Sequence, residues 1–185
     1  MILRTQYLER IRPFYDSELI KVITGVRRCG KSVLLKQIAV EIRAEHFDAA
    51  EPDALVFVDF DDYANRELTD PDKLYRYIKP KLSDERKTYL LFDEIQNVRN
   101  FELVVNSFNT TDNVSIFLTG SNSKLLSGEL ATRLGGRTVS FHVMPFNFRE
   151  FCCFKEDQLH PGVFEGHLDE SMLLDEYLTW GGFPL

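Results

Sequence analysis

The sequence predicts an α/β fold in three layers, with a mostly parallel five-stranded sheet covered by helices. Three observations predict it. Strand-like apolar runs alternate with stretches of helical periodicity. The first run passes straight into a glycine-bearing turn, Gly25-Val26-Arg27-Arg28-Cys29-Gly30-Lys31-Ser32, and then into a helix. The third run ends in two adjacent carboxylates, Asp93 and Glu94.

The elements follow in order. Residues 7–15 form a short amphipathic helix, with Tyr7, Leu8, Ile11 and Phe14 on one side. Residues 19–24 are the first strand. Leu34, Leu35, Ile38 and Ile42 recur at helical spacing and predict a helix over 31–45. A loop holding Pro52 leads to a second strand, 55–60. Pro71 behind a capping Asp70 opens a helix over 71–82. Residues 88–92 are a third strand, 101–109 a helix and 114–119 a fourth strand. A helix over 123–134 and a fifth strand over 138–143 complete the alternation. After Pro145 come helical pieces near 147–153 and 169–180, joined by a linker, 156–169, that carries Pro161, Gly162 and Gly166. The first four strands are near-continuous apolar runs, which suits strands buried on both faces.

At 185 residues the chain is long enough to bury a core without disulfides or a structural metal. Hydrophobic residues are 44% and charged residues 28%, a globular balance that argues against disorder. The 22 Lys+Arg against 29 Asp+Glu leave a net charge of −7. Bulk charge therefore gives no footing for non-specific nucleic-acid binding, though a local basic patch stays open. Three cysteines without paired spacing argue against a secreted disulfide scaffold and a zinc site. Residues 1–6 lack a signal-peptide pattern, and no apolar stretch is long enough to span a membrane. A cytoplasmic location is expected.

The turn fits G-x-x-x-x-G-K-[ST] at every fixed position. Its glycines let the backbone fold tightly around phosphate oxygens. Gly25, Val26, Arg27, Arg28, Cys29, Gly30, Lys31, Ser32 and Val33 then form a nucleotide cradle, with backbone N–H groups and a helix N-terminus facing the anion. Lys31 brings charge to the β- and γ-phosphates, and the Ser32 hydroxyl can ligate Mg²⁺. Asp93 is placed to hold the same Mg²⁺, and Glu94 to activate water as general base. Asp59, Asp61 and Asp62 follow the second strand in a similar way, but a solvated loop is the simpler reading.

Thr119-Gly120-Ser121-Asn122 puts short polar side chains at the end of the fourth strand, where ligands collect in such sheets. Ser121 can bond the γ-phosphate or the attacking water, or simply cap the next helix. Arg133 and Arg137 flank Leu134-Gly135-Gly136. A guanidinium aimed at the γ-phosphate accelerates hydrolysis, whereas surface arginines at a helix end are the blander alternative. His142 reads as structural, Cys152 and Cys153 as core packing, and Cys29 as a modifiable thiol that nucleotide protects.

The chain resembles the prokaryotic AAA-type P-loop ATPases of the AAA+ superfamily. The resemblance rests on the phosphate turn, Leu91-Phe92-Asp93-Glu94-Ile95-Gln96, Leu118-Thr119-Gly120-Ser121, Leu130-Ala131-Thr132-Arg133-Leu134-Gly135-Gly136-Arg137 and Tyr177-Leu178-Thr179-Trp180-Gly181-Gly182-Phe183-Pro184, in that order. It implies a P-loop NTPase core over residues 1–150 with strand order 5-1-4-3-2, and a helical segment over 151–185 that begins a lid. It implies Ser121 near the sensor position and Arg133 or Arg137 as arginine finger, in cis or from a neighbouring subunit. Members usually continue into a C-terminal domain of unknown function, so the chain reads as an N-terminal ATPase piece.

No Asn-Lys-x-Asp guanine-reading motif is present, which favours ATP. The N-terminal helix, near Ile11, Pro13 and Phe14, offers an apolar surface to the base. Three functions share these residues. The first is Mg-dependent ATP hydrolysis driving an effector. The second is a slow nucleotide-gated switch. The third is a P-loop kinase acting on a small acceptor, against which Glu94 beside Asp93 tilts the balance toward water.

Overall fold

A computed structural model describes residues 2–46, 54–110, 113–121, 132–159 and 170–183. The five strands are β1 (Ile20–Thr24), β2 (Leu55–Asp59), β3 (Thr88–Asp93), β4 (Val114–Gly120) and β5 (Thr138–His142). They form one sheet in the order β2-β3-β4-β1-β5, and every neighbouring pair is parallel. This is the implied order 5-1-4-3-2 read from the other edge. The helices are α1 (Thr5–Ile11), α2 (Lys31–His46), α3 (Pro71–Ile78), α4 (Phe101–Asn109), α5 (Phe148–Leu159) and α6 (Glu170–Trp180).

Strand side chains alternate between faces, so a doubly covered sheet builds two cores. In β3, Leu90 and Phe92 join the core under α3 and α4, together with Val22, Ile116, Leu74, Val105 and Phe108. Tyr89 and Leu91 face the other way, toward Leu8, Ile11, Leu34 and Ile38 of α1 and α2. All six positions of β3 and all seven of β4 are buried. That double burial is why these runs read as unbroken apolar stretches rather than alternating ones. A third, smaller cluster of Phe146, Phe151 and Leu173 joins α5 to α6.

Local chemistry sets several boundaries. Asp70 caps α3, accepting from the amides of Asp72 (3.0 Å) and Lys73 (3.1 Å), with Pro71 at the first position. The expected helix over 71–82 ends at Ile78 and continues only as a 3-10 turn, Lys79–Lys81, because Pro80 cannot donate to the helical ladder. Pro13 has the same effect on the expected helix 7–15, which is α1 followed by a 3-10 turn, Arg12–Phe14.

α5 opens with a capping box. Asn147 accepts from the Glu150 amide and Glu150 from the Asn147 amide, each at 2.9 Å. This helix runs on to Leu159, into the expected linker, whose remainder lies outside the described residues. The expected helix 123–134 also lies outside them except for its last residues. Cys152 and Cys153 correct the core-packing expectation: Cys152 is half-buried beside the third cluster, and Cys153 is exposed. At the end of α6, Gly182 sits so close to Phe146 that a Cβ would stand 1.9 Å from its carbonyl oxygen. The Gly182 carbonyl in turn accepts from the Phe146 amide at 2.7 Å, so this glycine is set by close approach of two backbones.

Candidate nucleotide site

The phosphate turn leaves the carboxyl end of β1. Gly25 has φ +153°, and a Cβ there would lie 2.3 Å from the Val143 carbonyl oxygen and 2.8 Å from Cys29 Sγ. Only glycine lets the chain leave the strand this close to the end of β5. Val26, Arg27 and Arg28 arch outward and are exposed, while Cys29 is buried beneath them. Arg28 (φ +66°) and Gly30 (φ +96°) are both left-handed, which curls the turn back into α2. The Leu34 amide bonds the Gly30 carbonyl at 2.9 Å and starts the helix. Val33 lies partly exposed in its first turn.

Lys31 is buried, and its Nζ donates to the Val26 carbonyl at 3.2 Å, arching back under the turn. The same Nζ lies 3.8 Å from Glu94 Oε1. Sheet order explains the meeting. β4 lies between β1 and β3, so the turn after β1 and the acids after β3 converge over the end of β4.

Asp93 is 1% exposed. It accepts a hydrogen bond from the Thr119 hydroxyl, and the Ser32 hydroxyl stands close enough to favour its charged form. Burial holds its carboxyl above the usual range. The two hydroxyls oppose that shift, and the nearby charges of Asp59 and Glu94 add to it. Asp59 is its register partner across the β2–β3 ladder. Ser32 and Asp93 thus present hard oxygen donors side by side, the donor type Mg²⁺ takes when phosphates and water complete its shell. Among the described residues no cluster of three or more His, Cys, Asp or Glu forms an all-protein metal cage.

Glu94 has φ +53°, which turns its side chain off the strand axis. Its amide donates to Thr119 Oγ1 at 3.0 Å, and its Oε2 accepts from Ser121 Oγ at 3.2 Å and from the Gln96 side-chain amide. The Gln96 side-chain Oε1 is buried with no hydrogen-bond partner among the described residues.

The arginines lie elsewhere. Arg133 pairs with Glu102 of α4 at 2.7 Å, and its carbonyl accepts from Asn106 at 2.8 Å. The Arg137 carbonyl accepts from the Ile20 amide at 2.8 Å, at the amino end of β1. The phosphate turn is at the opposite end, five residues on, or about 16 Å at the usual strand rise. Asp61 and Asp62 are exposed and occupied locally. Asp61 accepts from Asn97 at 2.8 Å, and Asp62 accepts from the Ala64 amide at 2.9 Å. His142 Nδ1 lies 3.3 Å from Thr24 Oγ1 at the strand ends. Of the apolar surface expected for a base, Ile11 has none exposed, Phe14 is half-buried and packs edge-on against Phe141, and Pro13 is exposed.

Cys29 corrects another expectation. Its side chain is buried and burial raises its thiol pKa, so it packs the turn from below rather than standing ready for modification. Three contributors carry more than the residue pattern assigns them individually: Thr119, Gln96 and Arg4. Thr119 was visible as a polar residue closing an apolar strand, and Gln96 as part of Asp-Glu-Ile-Gln. Nothing local marks Arg4, whose guanidinium finds all its hydrogen-bond partners in distant segments.

The chain is 36% identical, over its whole length, to an uncharacterized protein of Haemophilus influenzae, of which it covers 44%. It is 38% identical over 166 residues to an uncharacterized protein of Methanocaldococcus jannaschii, covering 89% of this chain and 35% of that protein. It therefore spans less than half the length of these curated relatives. The AMPPCP-bound structure of DnaA from Aquifex aeolicus superposes with a TM-score of 0.63 at 19% identity, covering all of this chain and 59% of that one, a likeness of fold. Among the described residues no helix is long and apolar enough to cross a membrane. The model of the AAA domain matches residues 17–152, from the approach to β1 into α5, and the chain belongs to that family.

Proposed function

We propose that this chain binds ATP with Mg²⁺ and hydrolyses it. One observation carries the reading: Lys31, Ser32, Asp93 and Glu94 meet in one contact network at the carboxyl end of a parallel sheet. The backbone N–H groups of the turn, from Val26 to Ser32, and the start of α2 receive the phosphates. Lys31 exchanges its bond to the Val26 carbonyl for phosphate oxygens, and Val33 flanks the cradle. Ser32 and Asp93 would hold Mg²⁺, which when bound neutralises charge building on the phosphate oxygens.

Glu94 takes a proton from a water whose oxygen bonds to the γ-phosphorus. The bond from that phosphorus to the bridging oxygen breaks, giving ADP and phosphate. Ser121 keeps Glu94 in line. Arg137, at the far end of the strands, and Arg133, held by Glu102 of α4, suit a neighbour's phosphate better than their own, which supports an arginine finger supplied in trans by a second copy. The output of the cycle passes to an effector domain such as the longer relatives have room for.

A second reading, a slow nucleotide-gated switch, draws on the grip of Gln96 and Ser121 on Glu94, which occupies the base with other donors. The test is ATP binding, and ATP turnover per subunit with Mg²⁺, over a range of protein concentration. A specific rate that climbs with concentration fits a site completed by a neighbour. Tight binding with a flat, near-zero rate fits the switch. Absence of ATP binding refutes both.

A further inference from the structure

Arg4 lies just before α1 and is 1% exposed, though no catalytic role in the nucleotide site uses it. Its guanidinium spends its donors on three separate segments. Nη1 donates to the Cys29 carbonyl of the phosphate turn at 2.9 Å. Nη2 donates to the Met144 carbonyl, after β5, at 2.8 Å. Nε donates to Glu150 Oε1, in the first turn of α5, at 3.0 Å. The plane lies 4.7 Å from the Tyr7 ring centre and 5.1 Å from that of Phe146. The backbone beneath it is also pinned to α2. The Arg4 amide donates to Gln37 Oε1 at 3.1 Å, and Gln37 Nε2 donates to the Ile2 carbonyl at 2.7 Å.

Two consequences follow from peptide geometry. In a trans peptide the C=O and the next N–H point in opposite directions. Holding the Cys29 carbonyl down toward Arg4 therefore aims the Gly30 N–H up, into the space the phosphates take. The turn also rests directly on the guanidinium, since a Cβ at Gly30 would stand 3.2 Å from Nη1. At its other end the same planar, rigid group grips α5, which shares the Phe146–Phe151–Leu173 core with α6.

We infer that Arg4 is a positioning residue that couples the phosphate turn to the α5–α6 pair, so that nucleotide occupancy is felt in those helices through Cys29, Arg4 and Glu150. This rests on the turn binding ATP, as proposed above. Phosphates that draw on the Gly30 N–H reset the Cys29 peptide. The guanidinium passes that change to Glu150 because its bonds share one plane.

The experiment measures backbone hydrogen exchange over 146–157, and the emission of Trp180, the chain's single tryptophan, with and without saturating ATP and Mg²⁺. Wild type is compared with Arg4→Lys and Glu150→Gln. Lysine keeps the charge but cannot hold three acceptors in one plane. Glutamine keeps the helix-capping contact and removes only the charge facing Arg4. ATP affinity is measured alongside, and thermal unfolding checks that each variant is folded.

In wild type, ATP is expected to slow exchange over 146–157 about fivefold or more and to shift Trp180 emission. Arg4→Lys should bind ATP about tenfold more weakly and, at saturation, lose the response. Glu150→Gln should bind within about threefold of wild type and lose most of the response, which a purely structural role would leave intact. Folded variants that respond as wild type does overturn the coupling, as does a wild type that binds ATP without responding. If wild type does not bind ATP, the ATP reading fails first and the coupling with it.

Discussion

Thr119, at the end of β4, holds Asp93, at the end of β3, by donating its hydroxyl to the buried carboxylate. The same oxygen accepts from the Glu94 amide at 3.0 Å. One hydroxyl therefore orients a metal-ligand candidate and fixes the backbone of the general-base candidate. Thr119→Val keeps the shape and removes both bonds. Turnover should fall about 10–100-fold, the usual cost of losing a group that orients a ligand, while ATP affinity moves far less. Equal ATPase rates in a side-by-side assay would remove Thr119 from the mechanism.

Glu94→Gln should separate binding from chemistry. The amide still fills the space beside Lys31 and Ser121 but cannot take a proton. Hydrolysis should drop by about 10²–10⁴-fold with nucleotide still bound. Lys31→Ala should instead lose nucleotide binding itself. Titration with ATP and a phosphate-release assay on both variants decide this, and unchanged hydrolysis in Glu94→Gln sinks the base assignment.

Arg133 and Arg137 make a prediction about assembly. If either is a trans finger, its alanine variant binds ATP normally yet turns over slowly, by as much as about 10³-fold. Mixing that variant with Lys31→Ala should restore part of the rate, because each copy supplies what the other lacks. Full activity in both single arginine variants contradicts the finger.

Lys21 predicts a pH dependence of stability. Its Nζ donates to Ser115 Oγ at 2.7 Å and to the Ser17 carbonyl at 2.9 Å, and lies 4.6 Å over the Phe117 ring. Burial, helped by the charge of Lys87 and opposed by Asp16, lowers its pKa from 10.5 to about 7. Between those values the unfolded chain holds the proton and the folded chain does not, so stability rises as pH rises. The melting temperature should be higher at pH 9 than at pH 7, and Lys21→Met should flatten that difference. Above about pH 10 the buried hydroxyls of Tyr15 and Tyr89, whose pKa values are raised mainly by burial, turn the trend downward. A wild-type melting temperature flat from pH 7 to 9 removes Lys21 from this account.

Much of the fold could be read along the chain because its signals are local. Leu90, Leu91 and Phe92 in a row mark a strand buried on both faces, and Asp70-Pro71 marks a helix start. The phosphate turn was legible for the same reason: its glycines, Lys31 and Ser32 are chemically required at fixed offsets. Helix ends were read less well. Pro13 and Pro80 shorten their helices, whereas the Pro and Gly of 156–169 led to an early end for a helix that runs to Leu159.

The α/β alternation, the phosphate turn and the acid pair are local features. Each is written in consecutive residues whose backbone and side-chain chemistry allows few alternatives. Which groups meet follows from the packing of the strands and helices. Thr119 reaches Asp93 because β3 and β4 pair in parallel register, and Arg137 is carried to the far end of the strands because β5 starts beside Ile20. Arg4 finds Cys29, Met144 and Glu150, which lie 25, 140 and 146 residues away. Such contacts depend on how elements pack against one another, and no local pattern of residues encodes them.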